Sequence, residues 1–162
     1  MNDIAASTPH FSYSQVTLRN IANDVLDHAK KGGATACETD ISDGFGQNVT
    51  VRRSEVETIE YNRDKGLSVT VYIGQKRGHA SSSDFSPQAV RETVAAALSI
   101  ASYTAADDCA GLADASLLAQ ETPDLDLYFP WALPVEQAIQ LAKNCEAAAF
   151  AVDKHITNSE GA

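Results

Sequence analysis

Residues 67–73, Leu67-Ser68-Val69-Thr70-Val71-Tyr72-Ile73, alternate apolar and polar side chains with a period of two. Successive side chains of a strand point to opposite faces, so this is the pattern of a β-strand with one buried face. The same period recurs on either side. Thr35, Cys37, Thr39 and Ile41 alternate with Ala36, Glu38 and Asp40; Val49 and Val51 alternate with Thr50 and Arg52; Glu57, Ile59 and Tyr61 alternate with Val56, Thr58 and Glu60. Turn-forming clusters separate these runs. Gly44-Phe45-Gly46 reads as one turn, Asn62-Arg63-Asp64-Lys65-Gly66 as a hairpin connection, and Gly74-Gln75-Lys76-Arg77-Gly78 as another, leaving His79 to Ser83 as a short edge strand. Consecutive strands with short connections pair antiparallel. The expectation is an antiparallel meander of about four to five strands.

Helices flank this meander. Leu18, Ile21, Ala22, Val25, Leu26 and Ala29 recur at helical spacing, with Ser14 as N-cap and Gly32-Gly33 as the stop. Ser86-Pro87 opens a second helix, whose inward face is Val90, Val94, Ala97, Leu98 and Ala101. Pro134 opens a third, with Val135, Ala138, Ile139, Ala142, Cys145, Ala149 and Val152 along one face. The layout is α+β, with the helices packed on one face of the sheet. The division expected is a flexible N-terminus (1–12), an α+β domain (13–104), an acidic connecting segment (105–133), and a helix with the start of a following, truncated domain (134–162). Residues 155–162 read as the first strand of that following element.

Charge is unevenly spread. The 162 residues carry a net charge of −10; residues 1–84 balance at −2 and residues 85–162 at −8. Nucleic acid binding needs clustered Lys and Arg, and the basic pairs Lys30-Lys31, Arg52-Arg53 and Lys76-Arg77 are isolated. No stretch approaches the roughly 20 apolar residues of a membrane helix, and Met1–Phe11 lacks the apolar run of a signal peptide. The three cysteines, Cys37, Cys109 and Cys145, are odd in number and widely spaced, which argues against a disulfide framework and against zinc. Together these features fit a reducing cytoplasm.

No set of side chains assembles a complete site. The histidines, His10, His28, His79 and His155, have no second His or Cys at ligand spacing. Glu38, Asp40 and Asp43 cluster beside a glycine turn, but Val51 stands where a calcium loop needs its closing Glu. Gly44-Phe45-Gly46 precedes a strand where a dinucleotide fold needs a helix. Ser81-Ser82-Ser83 and Asp84 follow His79, yet no glycine elbow surrounds them, and they read as a polar strand end leading into a helix cap. Cys109 lies beside Asp107-Asp108, whose charges disfavour the thiolate; Cys37 and Cys145 lie on apolar faces and read as packed thiols. Glu55, Glu57 and Glu60 run alongside Arg52, Arg53 and Arg63 and read as cross-strand ion pairs. Tyr128, Phe129 and Trp131 either cover the helix–sheet core or anchor another domain or subunit.

The run from Arg52 to Thr104, with residues 109–119 (CAGLADASLLA), 123–142 (PDLDLYFPWALPVEQAIQLA) and 156–162 (ITNSEGA), resembles the N-terminal domain of the TldD/PmbA family, on its PmbA (TldE) branch. The ordered signature is Glu55 and Glu57, then Gly66, then Gly78-His79-Ala80-Ser81-Ser82-Ser83-Asp84, an Ala-rich helix, and Ser159-Glu160-Gly161. The resemblance implies a non-catalytic N-terminal part of a PmbA-like subunit. That subunit would belong to a cytoplasmic TldD/TldE-type metalloprotease that processes or degrades peptides. The implied partners are a TldD-like subunit and an unfolded or extended peptide. Zinc is expected only in that TldD-like subunit, whose His-Glu-x-x-x-His motif lies downstream of the matched region. No catalytic, cofactor-binding or metal-ligating residue of the family maps onto residues 1–162, so none is expected here. The implied role is scaffolding, assembly or gating, with the sheet edge at residues 79–83 available for strand pairing. The alternatives are a stand-alone protein-binding module with no link to peptidases, and a small hydrolase using Ser81–Ser83 with His79.

Overall fold

A computed structural model describes residues 11–129 and 131–162; part of the N-terminal stretch expected to be loose, and Pro130, lie outside the described residues. The elements in order are α1 (Gln15–Lys31), β1 (Ala36–Arg52), β2 (Glu55–Ile73), β3 (Lys76–Ser82), α2 (Pro87–Tyr103), a 3-10 turn (Ala115–Leu117) and α3 (Val135–Phe150). The described residues form two compact units. One comprises the chain up to Gly44 with Arg63–Gln120, the other Phe45–Asn62 with Glu121–Ala162. The long strands β1 and β2 contribute to both.

The fold is α+β, as the alternation predicts, but the sheet has three strands in the order β1-β2-β3 rather than four or five. Two expected turns are strand interior. Gly44-Phe45-Gly46 lies within β1, and Asn62 to Gly66 lies within β2. Their glycines keep ordinary negative φ, and a Cβ at Gly46 or Gly66 would meet its nearest neighbour only at ordinary contact distance. The chain reverses instead at Arg53-Ser54, both left-handed with φ of 53° and 64°. That pair of angles is the signature of the tight two-residue hairpin turn, usually built on Asn-Gly. The second reversal is Gly74-Gln75, with Gly74 at φ 59°. It is shorter than expected, because Lys76, Arg77 and Gly78 already belong to β3.

In the first unit, β2 pairs with β3 in the register Leu67↔Ser82 to Ile73↔Lys76. Leu67, Val69 and Val71 are fully buried and face Val25 and Ala29 of α1 and Val90, Val94, Ala97 and Ala101 of α2. Burying each large aliphatic side chain contributes about 1.5–3 kcal/mol. Both helix starts are as the caps predict: Ser14 Oγ accepts Thr17 N–H, and Ser86 Oγ accepts Ala89 N–H ahead of Pro87. Gly78 is where α2 comes closest to the sheet. A Cβ there would lie 2.0 Å from Ala97 O and 2.5 Å from Ala101 N, so only glycine admits this packing. The opposite face of β2 is not simply exposed. Thr70 and Tyr72 are buried too, and their hydroxyls are satisfied by His79 Nδ1 at 3.0 Å and Glu38 Oε1 at 3.0 Å.

The second unit is built differently. Among the described residues, Val51 is its one buried hydrophobic side chain. Its helix α3 buries Glu146, while Cys145 and Ala149 are exposed and Val152 is 78% exposed. The apolar stripe read along α3 is therefore only partly covered, and Cys145 is not a packed thiol.

Candidate functional site

The first candidate is the outer strand of the first unit. β3 is an edge strand, paired on one side only. The two-residue connection makes Ile73 and Lys76 a hydrogen-bonded pair. Alternation along an antiparallel ladder then turns the backbone N–H and C=O of Arg77, His79 and Ser81 away from β2. Separately, a groove of about 620 Å³ crosses the sheet, lined by Asp40 and Ser42 of β1, Gly66, Leu67 and Ser68 of β2, and Ser81–Ser83 at the end of β3. Its lining is five serines with Asp40, Gly66 and Leu67. The β3 edge itself can hydrogen-bond an extended backbone, since unpaired strand edges are templates for strand addition.

The Ser-His-Asp grouping read at this edge is not brought together as a triad. His79 Nδ1 is engaged with Thr70 Oγ1, its partner across the ladder. Ser82 Oγ donates to Asp84 O and accepts Asp84 N–H. The Asp84 carboxylate accepts both the N–H (2.8 Å) and the hydroxyl (3.1 Å) of Ser86, which hold it below the usual carboxylate range. These groups cap α2. Two acidic residues of β1 are likewise occupied: Asp43 Oδ2 accepts the N–H groups of Ser12 (2.7 Å) and Tyr13 (3.0 Å), and Glu38 accepts the Tyr72 hydroxyl. Burial, reinforced by Glu38, pushes the half-buried Cys37 thiol up, which disfavours its thiolate. Lys65 lies over Tyr13 and Phe85, with its Nζ 5.6 and 5.3 Å from the ring centroids.

The second candidate is the hairpin tip of the second unit, beside an open cavity of about 350 Å³ lined by Arg52, Arg53, Glu55, Val56 and Glu57. Its organising group escaped the sequence reading. Glu146, 2% exposed, accepts the N–H of Arg53 through Oε1 at 2.7 Å and of Ser54 through Oε2 at 2.6 Å. The Ser159 hydroxyl also donates to Oε1. The Ser159 hydroxyl foremost, then the turn amides, hold the Glu146 carboxyl below its ordinary value. Arg52 Nε donates to Ser159 O at 3.1 Å, and Arg53 Nε to Asn158 Oδ1 at 3.3 Å. Of the ion pairs expected here, Arg52–Glu57 forms at 3.8 Å between half-exposed groups, a geometry that contributes under about 1 kcal/mol.

Among the described residues no three of His, Cys, Asp and Glu come together as a ligand set. His28, His79 and His155 lie on α1, on β3 and after α3, and His155 bonds Asp153. The described residues do not fit a zinc site. Phe129 and Trp131 are 75% and 71% exposed, so they do not cover a core within the described residues.

Comparison with known proteins places this architecture. A sequence model described as PmbA/TldA metallopeptidase domain 1 matches residues 37–101. Metalloprotease PmbA of Escherichia coli O157:H7 is 48% identical over 130 residues, covering 80% of this chain and 29% of the relative. The chain belongs to the PmbA/TldD family. A PmbA homologue from Haemophilus influenzae is 41% identical over 156 residues, 96% of this chain and 34% of the relative. The chain thus spans about a third of the length of these curated relatives. Two solved structures share the fold. A Bacteroides thetaiotaomicron protein described as a modulator of DNA gyrase superposes with a TM-score of 0.74 at 22% identity, covering 86% of this chain and 32% of that one. TldE from Thermococcus kodakarensis superposes at 0.59 and 14% identity, covering 79% and 29%. No helix among the described residues is long and apolar enough to cross a membrane.

Proposed function

We propose that this chain is the non-catalytic N-terminal part of a PmbA/TldE-type subunit of a metalloprotease that processes or degrades peptides. In this reading it supplies scaffold and gate, and the zinc-bearing catalytic machinery belongs to a TldD-like partner subunit in the cytoplasm. The observation that carries the proposal is the outward backbone of the edge strand β3 at His79 and Ser81, in a chain 48% identical to a metalloprotease over 130 residues. An edge of this kind captures extended polypeptide through main-chain bonds, with little demand on side-chain identity. That suits a substrate recognised for being unfolded. Metalloprotease PmbA relatives do not favour the stand-alone binding module, and the occupied His79, Ser82 and Asp84 weigh against the hydrolase.

The test is co-purification of the chain with a TldD-like subunit, with metal measured on each. The proposal expects a stable complex whose zinc resides with the TldD-like subunit. Failure to associate, or zinc on this chain, would overturn it.

A further inference from the structure

The sheet of the first unit has a face turned away from its helices. Cys37 and Ile41 of β1, Leu67, Val69 and Val71 of β2, and Ala80 of β3 belong to the helix-side core. Alternation sets the intervening side chains on the other face. Along much of that face the polar groups are spent on one another. The Tyr72 hydroxyl lies between Glu38 and Arg77, and Thr70 Oγ1 is 3.0 Å from His79 Nδ1.

The next part of the face is different, and the groove of about 620 Å³ crosses it. Asp40 and Ser42 stand on β1, Ser68 on β2 opposite Ser81 on β3, and Ser83 just past the strand end. Asp40, Ser42, Ser81 and Ser83 are exposed. Gly66 keeps the floor open. A Cβ there would stand 3.5 Å from Ser42 Oγ, so any larger side chain at this position would enter the groove. Among the described residues no basic side chain forms an ion pair with Asp40.

This lining selects its ligand by charge. Serine hydroxyls donate or accept, whereas an ionised carboxylate only accepts. A cation bearing several N–H groups satisfies all of them, while an anion meets Asp40 as a like charge. Glu38, two residues along the same face of β1, and the net charge of −10 strengthen the attraction for cations. A guanidinium fits best, because its planar fork gives two N–H groups to a carboxylate and keeps others for hydroxyls. The volume lies within the range of about 300–1,000 Å³ typical of ligand sites.

We propose that this groove binds a basic peptide side chain, arginine above all, with Asp40 as counter-ion and Ser42, Ser68, Ser81 and Ser83 as hydrogen-bond partners. The assignment to a peptide rests on the peptide-handling role proposed above. It adds a preference for basic residues, which main-chain pairing at the β3 edge does not supply.

The test titrates acetyl-Gly-Arg-Gly-amide into the 162-residue chain and follows the amide shifts of Ser68 and Ser81 by NMR, with acetyl-Gly-Gln-Gly-amide as the neutral probe. Exposed ion pairs are weak, so half-saturation by the arginine peptide is expected at about 1–10 mM. The glutamine peptide should bind about tenfold more weakly. Asp40→Asn should abolish that difference. Gly66→Val fills the groove without altering its charge, in a residue type that strands favour, and should weaken the arginine peptide by about tenfold. Equal binding of the two peptides by the native chain, or a preference that survives Asp40→Asn, would overturn the proposal. These shifts are read on this chain alone, so they can fail while association with a TldD-like subunit holds, and persist where that association fails.

Discussion

The carboxylate of Glu146 accepts the backbone N–H of Ser54 at 2.6 Å, across 92 residues of sequence. Its other oxygen takes the N–H of Arg53, so one side chain satisfies both amides of a turn held in the left-handed region. Each non-glycine residue in that region costs on the order of 1–2 kcal/mol, and charge-assisted bonds to the two turn amides offset such strain. Glu146→Gln retains only one oxygen and sets an N–H₂ group against donors. Amide exchange at Arg53 and Ser54 should rise by about tenfold or more, while exchange at Val69 and Val71 stays unchanged.

The same carboxylate makes the tip sensitive to acid, with a definite sign. Its folded-state pKa is depressed, chiefly by the Ser159 hydroxyl and the turn amides. Its contribution is therefore complete above the ordinary glutamate value near 4.5 and is lost as pH falls through the lower folded value. The difference in tip exchange between the native chain and Glu146→Gln, corrected for intrinsic rates, should be full at pH 7. It should shrink only below about pH 4.5.

Glycine substitutions separate the turns the structure has from those it lacks. Gly78→Ala drives a methyl into the backbone of α2 and should cost about 3 kcal/mol or more, read as a lower urea midpoint. Gly46→Ala meets only Asn62 Cβ at 3.9 Å and should be tolerated within about 0.5 kcal/mol, because Gly46 is strand interior. A large loss at Gly46 would restore the turn that the composition of Gly44-Phe45-Gly46 advertises.

Much of this was legible where local chemistry decides the outcome. The Ser14 and Ser86 caps, the Leu67–Ile73 alternation and the α2 face Val90, Val94, Ala97 and Ala101 all carry their signals within one element. The hairpin tip does not. Arg53-Ser54 has no turn composition, and what stabilises it arrives from Glu146 on α3. Gly44 and Gly46 mimic a turn because glycine is also used inside strands. The α3 stripe was read correctly as apolar. Whether it is covered depends on neighbours, and in this chain Cys145, Ala149 and Val152 have few. The reading of Ser81–Ser83 as a strand end leading into a cap was available from Ser86-Pro87, whereas the Thr70–His79 bond needed the β2–β3 register.

Proline distinguishes the two sides of β3. Ala80 lies opposite Val69 as a ladder donor, whereas Ser81 N–H points outward. Ala80→Pro should destabilise the first unit by about 3 kcal/mol. Ser81→Pro should leave stability within about 1 kcal/mol yet weaken capture of extended peptide by the assembled complex by about tenfold. Equal capture by the native and Ser81→Pro complexes would remove the β3 edge from the account.

The most direct measurement is peptide cleavage by the purified 162-residue chain alone, with zinc supplied and metal content determined after gel filtration. The account predicts an unstructured peptide left intact and no stoichiometric zinc retained. Turnover that elutes with this chain, or one tightly held zinc ion per chain, would contradict it.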